Sequence, residues 1–156
     1  MALPGLIAFD LDFTLWDCGG LWVDSTSYPF QKREDGSIVD SDGRNFRLYE
    51  DVPEILDEID HLGIPMALAS RTEQPAWAQD LLDLMEIRER FAYEEIYPSS
   101  KTKHFSRIAA ASGVELHQMW FFDDENRNIV EVGEMGVTCV EVRNGLTRAI
   151  FDSLMP

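Results

Sequence analysis

An α/β fold built on a mostly parallel central sheet is predicted by three features of the sequence. Apolar segments of strand length alternate with segments of helical period, those apolar segments are nearly continuous rather than in/out alternating, and no repeat, low-complexity tract or Pro/Ser-rich linker interrupts the 156 residues. Strands covered on both faces have this continuous character, because a helix layer lies against each side of a parallel sheet.

The elements follow in order. Leu6-Ile7-Ala8-Phe9 reads as a fully buried first strand that stops abruptly at Asp10. Asp51 and Glu54 have capping-box spacing, Pro53 sits in the first turn, and Ile55, Leu56, Ile59 and Leu62 recur at helical spacing before Gly63 ends the helix. Ile64 to Ala69 is the next strand, running into Ser70 and Arg71, and Trp77, Leu81, Leu82 and Met85 mark a second helix. Phe91 to Tyr97 reads as a strand. A helix starts at Ser99 or Ser100, presents Phe105, Ile108 and Ala109 inward and ends at Gly113. Met119-Trp120-Phe121-Phe122 is a fourth buried strand ending at Asp123-Asp124, followed by a helix containing Ile129 to Val132, a strand from Val137 to Val142, and a terminal helix from about Leu146 to Leu154.

One stretch departs from this alternation. Residues 17–49 contain the pairs Asp35-Gly36 and Asp42-Gly43, which favour tight hairpin turns, flanked by short mixed runs. This predicts a small antiparallel flap of three short strands, inserted directly after the first core strand and standing near its C-terminal end. The expected organisation is a single domain, residues 1–156, with the flap at 17–49.

Composition narrows the function. Thirteen basic against 29 acidic residues give a net charge of −16 and a pI near 4.3. Phosphate-backbone affinity needs clustered Lys and Arg, so nucleic acid and anionic membrane surfaces are not expected partners. No apolar run approaches the roughly 20 residues of a transmembrane helix, and the N-terminus lacks a basic start and a long apolar stretch. The two cysteines, Cys18 and Cys139, fit no metal spacing or disulfide framework, which suits reduced thiols in a cytoplasmic setting. At this length roughly 68–70% of the unfolded surface is buried on folding, enough for an ordinary core.

In an open parallel sheet, ligands bind outside the carboxyl ends of the strands. The polar residues that follow the apolar runs converge there: Asp10 and Asp12, Ser70 and Arg71, Asp123 and Asp124, with Lys101 from a helix start. Each has a structural explanation as well. Asp and Thr favour turns, a serine after a strand is commonly a helix cap, and an arginine commonly makes a surface ion pair. Lys101 and Lys103 both lie in a helix first turn, where positive charge opposes the dipole, so one of them should answer to another group. Adjacent acids at a buried strand end repel each other unless a cation is near. His61, His104 and His117 are isolated and read as ordinary surface or core residues, while Trp16 and Trp22 are candidates to wall a pocket.

Phe9-Asp10-Leu11-Asp12-Phe13-Thr14-Leu15 is the h-D-x-D-x-T-h signature of the haloacid dehalogenase superfamily. With Ala69-Ser70-Arg71-Thr72, Ile96-Tyr97-Pro98, Ser100-Lys101 and Phe121 to Ile129, the chain resembles the magnesium-dependent phosphatase family, a small-cap branch of that superfamily, nearly end to end. The resemblance implies a Rossmannoid three-layer sandwich with a minimal cap. It implies Asp10 as nucleophile forming an aspartyl-phosphate, Asp12 as acid and then base, Ser70, Arg71 and Lys101 on the phosphoryl oxygens, and Lys101 rather than Lys103 as the motif lysine. It also implies Mg²⁺ held by the Asp10 side chain, the Asp12 main-chain carbonyl and Asp124, with Asp123 either standing behind these ligands or joined to the metal through water. Asn126 and Asn128 stand where relatives often carry another acid.

The implied substrates are phosphotyrosine or protein phosphoesters and sugar or fructosamine phosphates, taken by a cytoplasmic monomer or homodimer. Two other classes fit parts of the pattern. A phospho-receiver domain also combines acids, a Ser or Thr and a Lys, but places its acidic pair after the first strand; a catalytically idle phosphate-binding relative would share every motif.

Overall fold

The computed structural model describes residues 2–156. Its centre is a five-stranded, wholly parallel sheet of β1 (Leu6–Phe9), β6 (Met66–Ser70), β7 (Phe91–Ile96), β8 (Met119–Asp123) and β9 (Thr138–Glu141), in the order β7-β6-β1-β8-β9. Alternate residues of β1 face opposite layers. Ile7 and Phe9 pack with Ile55, Leu56 and Ile59 of α1 (Val52–His61), Leu81 and Leu82 of α2 (Pro75–Leu84) and Phe151 of α5 (Arg148–Asp152). Leu6 and Ala8 pack with Phe105 and Ile108 of α3 (Lys101–Ser112) and Val132 of α4 (Asn126–Gly133). Both faces of the sheet are therefore dry, which explains the continuous apolar runs.

Chain order steps outward from β1 to β6 and β7, then returns through α3 to β8 on the other side of β1. The strand order thus reverses at β1, the position where an open α/β sheet leaves a crevice at its carboxyl edge.

Residues 16–48 form a second sheet with four strands, one more than expected: β2 (Trp16–Asp17), β3 (Gln31–Lys32), β4 (Ile38–Val39) and β5 (Asn45–Leu48), ordered β2-β5-β4-β3 and antiparallel throughout. The additional strand is Trp16–Asp17, which is too short to carry a period and lies in the turn after β1. Both Asp-Gly pairs turn hairpins, with Gly36 at φ 88° and Gly43 at φ 83°, a region glycine enters without steric cost. A short 3₁₀ turn, Val23–Ser25, lies between β2 and β3.

The capping box does not form. Asp51 takes helical backbone angles and its carboxylate accepts the Arg148 amide at 2.8 Å, while Glu54 pairs with the Arg148 guanidinium at 3.0 Å. The terminal helix starts later than expected, where Thr147 caps it by accepting the Ile150 amide at 3.2 Å, and it ends at Asp152.

Candidate active site

The turn after β1 is a single tight coil in which the Leu11 carbonyl accepts from the amides of Thr14, Leu15 and Trp16. Phe13 closes it with φ 62°, a left-handed conformation that costs a non-glycine residue roughly 1–2 kcal/mol. The coil sets Asp10 and Asp12 at the mouth of the crevice with different partners. Asp10 Oδ1 accepts Lys101 Nζ at 3.0 Å and Oδ2 accepts the Thr14 hydroxyl at 3.4 Å. Asp12 Oδ1 accepts Trp16 Nε1 at 2.7 Å, and the Val23 amide reaches Oδ1 at 3.1 Å and Oδ2 at 3.2 Å. Burial pushes the Asp12 carboxyl up to about 7, with the Trp16 bond pulling the other way.

Lys101, the first residue of α3, is fully buried and donates to Asp10, to Asp123 Oδ2 at 3.0 Å and to the Ala69 carbonyl. Burial works against its charge, but Asp10 and Asp123 outweigh it and hold the ammonium above its ordinary pKa. Asp123 also accepts the Glu125 amide at 2.8 Å and Asn128 Nδ2 at 3.0 Å. Asp124 has fewer protein donors. Burial, then its hydrogen bond with Asp10 and the charges of Asp10 and Asp123, raise its pKa well above the carboxylate range. Asp10, Asp123 and Asp124 each bring an oxygen within 4.8 Å of the others. Such a group of hard oxygen donors, mutually repelling when ionised, suits a small divalent cation.

The crevice holds about 420 Å³ and is lined by Asp10, Asp12, Ser70, Arg71, Lys101 and Asp124, with Trp22, Asp24 and Arg127 nearer the rim. Ser70 ends β6 rather than capping a helix; its oxygen accepts the Thr72 amide at 3.3 Å, leaving the hydroxyl proton for the crevice. Arg71 donates to Asn128 Oδ1 at 3.3 Å with one arm of its guanidinium.

Residues 2–155 match the acid phosphatase family. Over 145 residues the chain is 47% identical to magnesium-dependent phosphatase 1 of Homo sapiens, covering 92% of this chain and 81% of that protein. It is 37% identical over 150 residues to a haloacid dehalogenase-like hydrolase superfamily protein of Schizosaccharomyces pombe, covering 88% of this chain and 85% of that one. The chain belongs to the magnesium-dependent phosphatase family. A haloacid dehalogenase superfamily hydrolase from Ehrlichia chaffeensis shares the fold, with TM-score 0.69 at 14% identity, covering 98% of this chain and 95% of that one.

For a phosphatase of this family, the crevice brings together Asp10, Asp12, Ser70, Arg71, Lys101 and Asp124, with Asp123 buried against Lys101. Lys101 differs in detail from the expectation, since its three N–H bonds all go to protein oxygens rather than standing free for a phosphoryl group. Trp16 does not wall the crevice; it is fully buried behind the coil and reaches Asp12 instead, whereas the exposed Trp22 does line the rim. Lys103 is exposed beside the Tyr97 ring. Two participants were not anticipated. Asn128, noted only for standing in place of an acid, bridges Asp123 and Arg71, and Asp24 ties the flap to the loop after β6.

Proposed function

We propose that the chain hydrolyses phosphate monoesters through a covalent phosphoryl-Asp10 intermediate, with Mg²⁺ as cofactor. The observation that carries this reading is the Asp10, Asp123 and Asp124 oxygens lying within 4.8 Å of one another in the same crevice as Ser70, Arg71 and Lys101. Asp10, Asp124 and the main-chain carbonyl of Asp12 would hold the metal, with Asp123 behind them. A magnesium ion bound there supplies charge neutralisation between an anionic nucleophile and an anionic ester.

The chain's own residues account for the remaining chemistry. Lys101 and Thr14 hold the Asp10 carboxylate in one orientation, so an oxygen faces the phosphorus of a bound ester. The Ser70 hydroxyl and the free arm of Arg71 donate to phosphoryl oxygens. As the bond from Asp10 oxygen to phosphorus forms and the ester P–O bond breaks, Asp12 gives its proton to the leaving alcohol oxygen. A water then attacks phosphorus and Asp12 takes its proton; the bond to Asp10 breaks and phosphate leaves. Catalysis of this kind is mostly positioning and electrostatic stabilisation.

Phosphotyrosine, protein phosphoesters or sugar and fructosamine phosphates are the substrates of this reading, taken at a crevice whose lining includes Trp22 and Asp24 of the small flap. A cytoplasmic setting and a monomeric or homodimeric state go with this reading. Asp10→Asn tests it: turnover of an aryl phosphate in excess Mg²⁺ falls by more than about 10³-fold, in line with loss of a covalent nucleophile, while circular dichroism and thermal midpoint stay close to wild type. Retained turnover contradicts the assignment.

A further inference from the structure

The 3₁₀ turn Val23–Ser25 is tied in two directions by consecutive residues. The Val23 amide donates to both oxygens of Asp12, at 3.1 and 3.2 Å. Asp24 turns its carboxylate the opposite way, where Oδ1 accepts the Thr72 hydroxyl and Oδ2 accepts the Glu73 amide at 3.0 Å. Thr72 is buried; its oxygen accepts the Gln74 amide at 3.0 Å and its own amide donates to Ser70 Oγ at 3.3 Å. A continuous run of bonded groups thus leads from Asp12 through Val23, Asp24 and Thr72 to Ser70. Among the described residues, the two bonds to Asp24 are the only hydrogen bonds between the flap and residues 71–74.

We propose that Asp24 is a positioning residue that fixes the proton-transferring Asp12 relative to the phosphate-holding loop; this rests on the roles given above to Asp12 and Ser70. The Val23 amide directs Asp12 only as well as the turn that carries it is fixed, and Asp24 is what fixes that turn to Ser70's own loop. Hydrogen bonds to a charged acceptor are the strong kind, and displacement of a proton donor by about 1 Å can lower a rate about 100-fold. A carboxylate that merely stabilised the flap would affect all substrates alike. One that acts through Asp12 affects most those esters whose leaving alcohol needs a proton.

The test is kcat/KM, which reports the step that expels the leaving group, for a series of esters from a nitrophenyl phosphate to an alkyl phosphate. Asp24→Ala is expected to lower the alkyl ester about 10- to 100-fold, while the nitrophenyl ester changes by less than about threefold, a weaker copy of the slope given by Asp12→Asn. Thr72→Val, which removes only one of the two donors, should show the same slope with smaller size and guards against a misfolded Asp24→Ala. Asp24→Asn keeps an oxygen for the Glu73 amide and recovers most of the alkyl-ester rate. Equal loss across the series, or none, overturns the role of Asp24 while Asp12→Asn remains sloped. A flat Asp12→Asn profile, or full turnover by Asp10→Asn, overturns the underlying reading and the role of Asp24 with it.

Discussion

Lys101 commits all three ammonium protons to Asp10, Asp123 and the Ala69 carbonyl, so one buried cation orients the nucleophile and offsets two carboxylates at once. Removing one partner of a buried ion pair leaves uncompensated charge behind. Lys101→Met is therefore expected to lower unfolding free energy by about 3–5 kcal/mol in chelator-treated protein, measured by urea titration. A change below about 1 kcal/mol would mean that the two carboxylates do not need the ammonium. Much of this chemistry was legible because each group follows an apolar run: Asp10 after Phe9, Ser70 after Ala69, Asp123 after Phe122. Asp24 was not, since it lies in a stretch without a period and its partners Thr72 and Glu73 are 48 and 49 positions away. Asn128 was visible as a departure, but nothing local showed that its amide would serve Asp123 and Arg71 together.

The elements of the central sheet could be read because burial on both faces removes polar residues from whole strands, as in β1 and β8. Helix ends were less legible. Asp51 and Glu54 have the spacing of a cap, yet tertiary contact with Arg148 outcompetes it. The flap was visible through its Asp-Gly turns, whereas its docking was not. Tyr28 stacks on Trp77 of α2 at a centroid distance of 5.3 Å, and Phe30 meets both Trp77 and Phe46 edge-on, at 6.2 and 4.9 Å. Lys32 adds an ion pair to Glu86 at 3.0 Å, an exposed contact of small value. This aromatic contact holds the outer edge of the flap against the core. Trp77→Ala should raise amide hydrogen exchange in β3 and β4 about tenfold or more while β1 and β8 stay protected. Unchanged exchange in β3 and β4 would show that the flap is held by other means.

At the scale of the molecule two groups of acids stand out within the net charge of −16. The acids of α1 lie on the solvated surface and hold arginines there: Asp57 and Asp60 hold Arg90 at 2.6 and 2.8 Å, and Glu54 and Glu58 hold Arg148 at 3.0 and 2.6 Å. Asp10, Asp12, Asp123 and Asp124 form the other group, concentrated at the carboxyl edge of the sheet. An anionic ester approaching this surface meets net repulsion, which salt screens as the Debye length falls from about 30 Å at 0.01 M to about 8 Å at 0.15 M. At fixed Mg²⁺, kcat/KM is expected to rise severalfold over that range, and a fall would show that the local field of Arg71 and Arg127 governs approach. All of this serves one proposed chemical event, the transfer of a phosphoryl group to Asp10. The most direct measurement is borohydride quenching of wild-type enzyme during turnover in Mg²⁺, followed by peptide mass spectrometry, since reduction converts an aspartyl-phosphate to homoserine. Homoserine at position 10 that requires both substrate and Mg²⁺ is the predicted result. Steady turnover with an unmodified Asp10, or modification at another carboxylate, would contradict it.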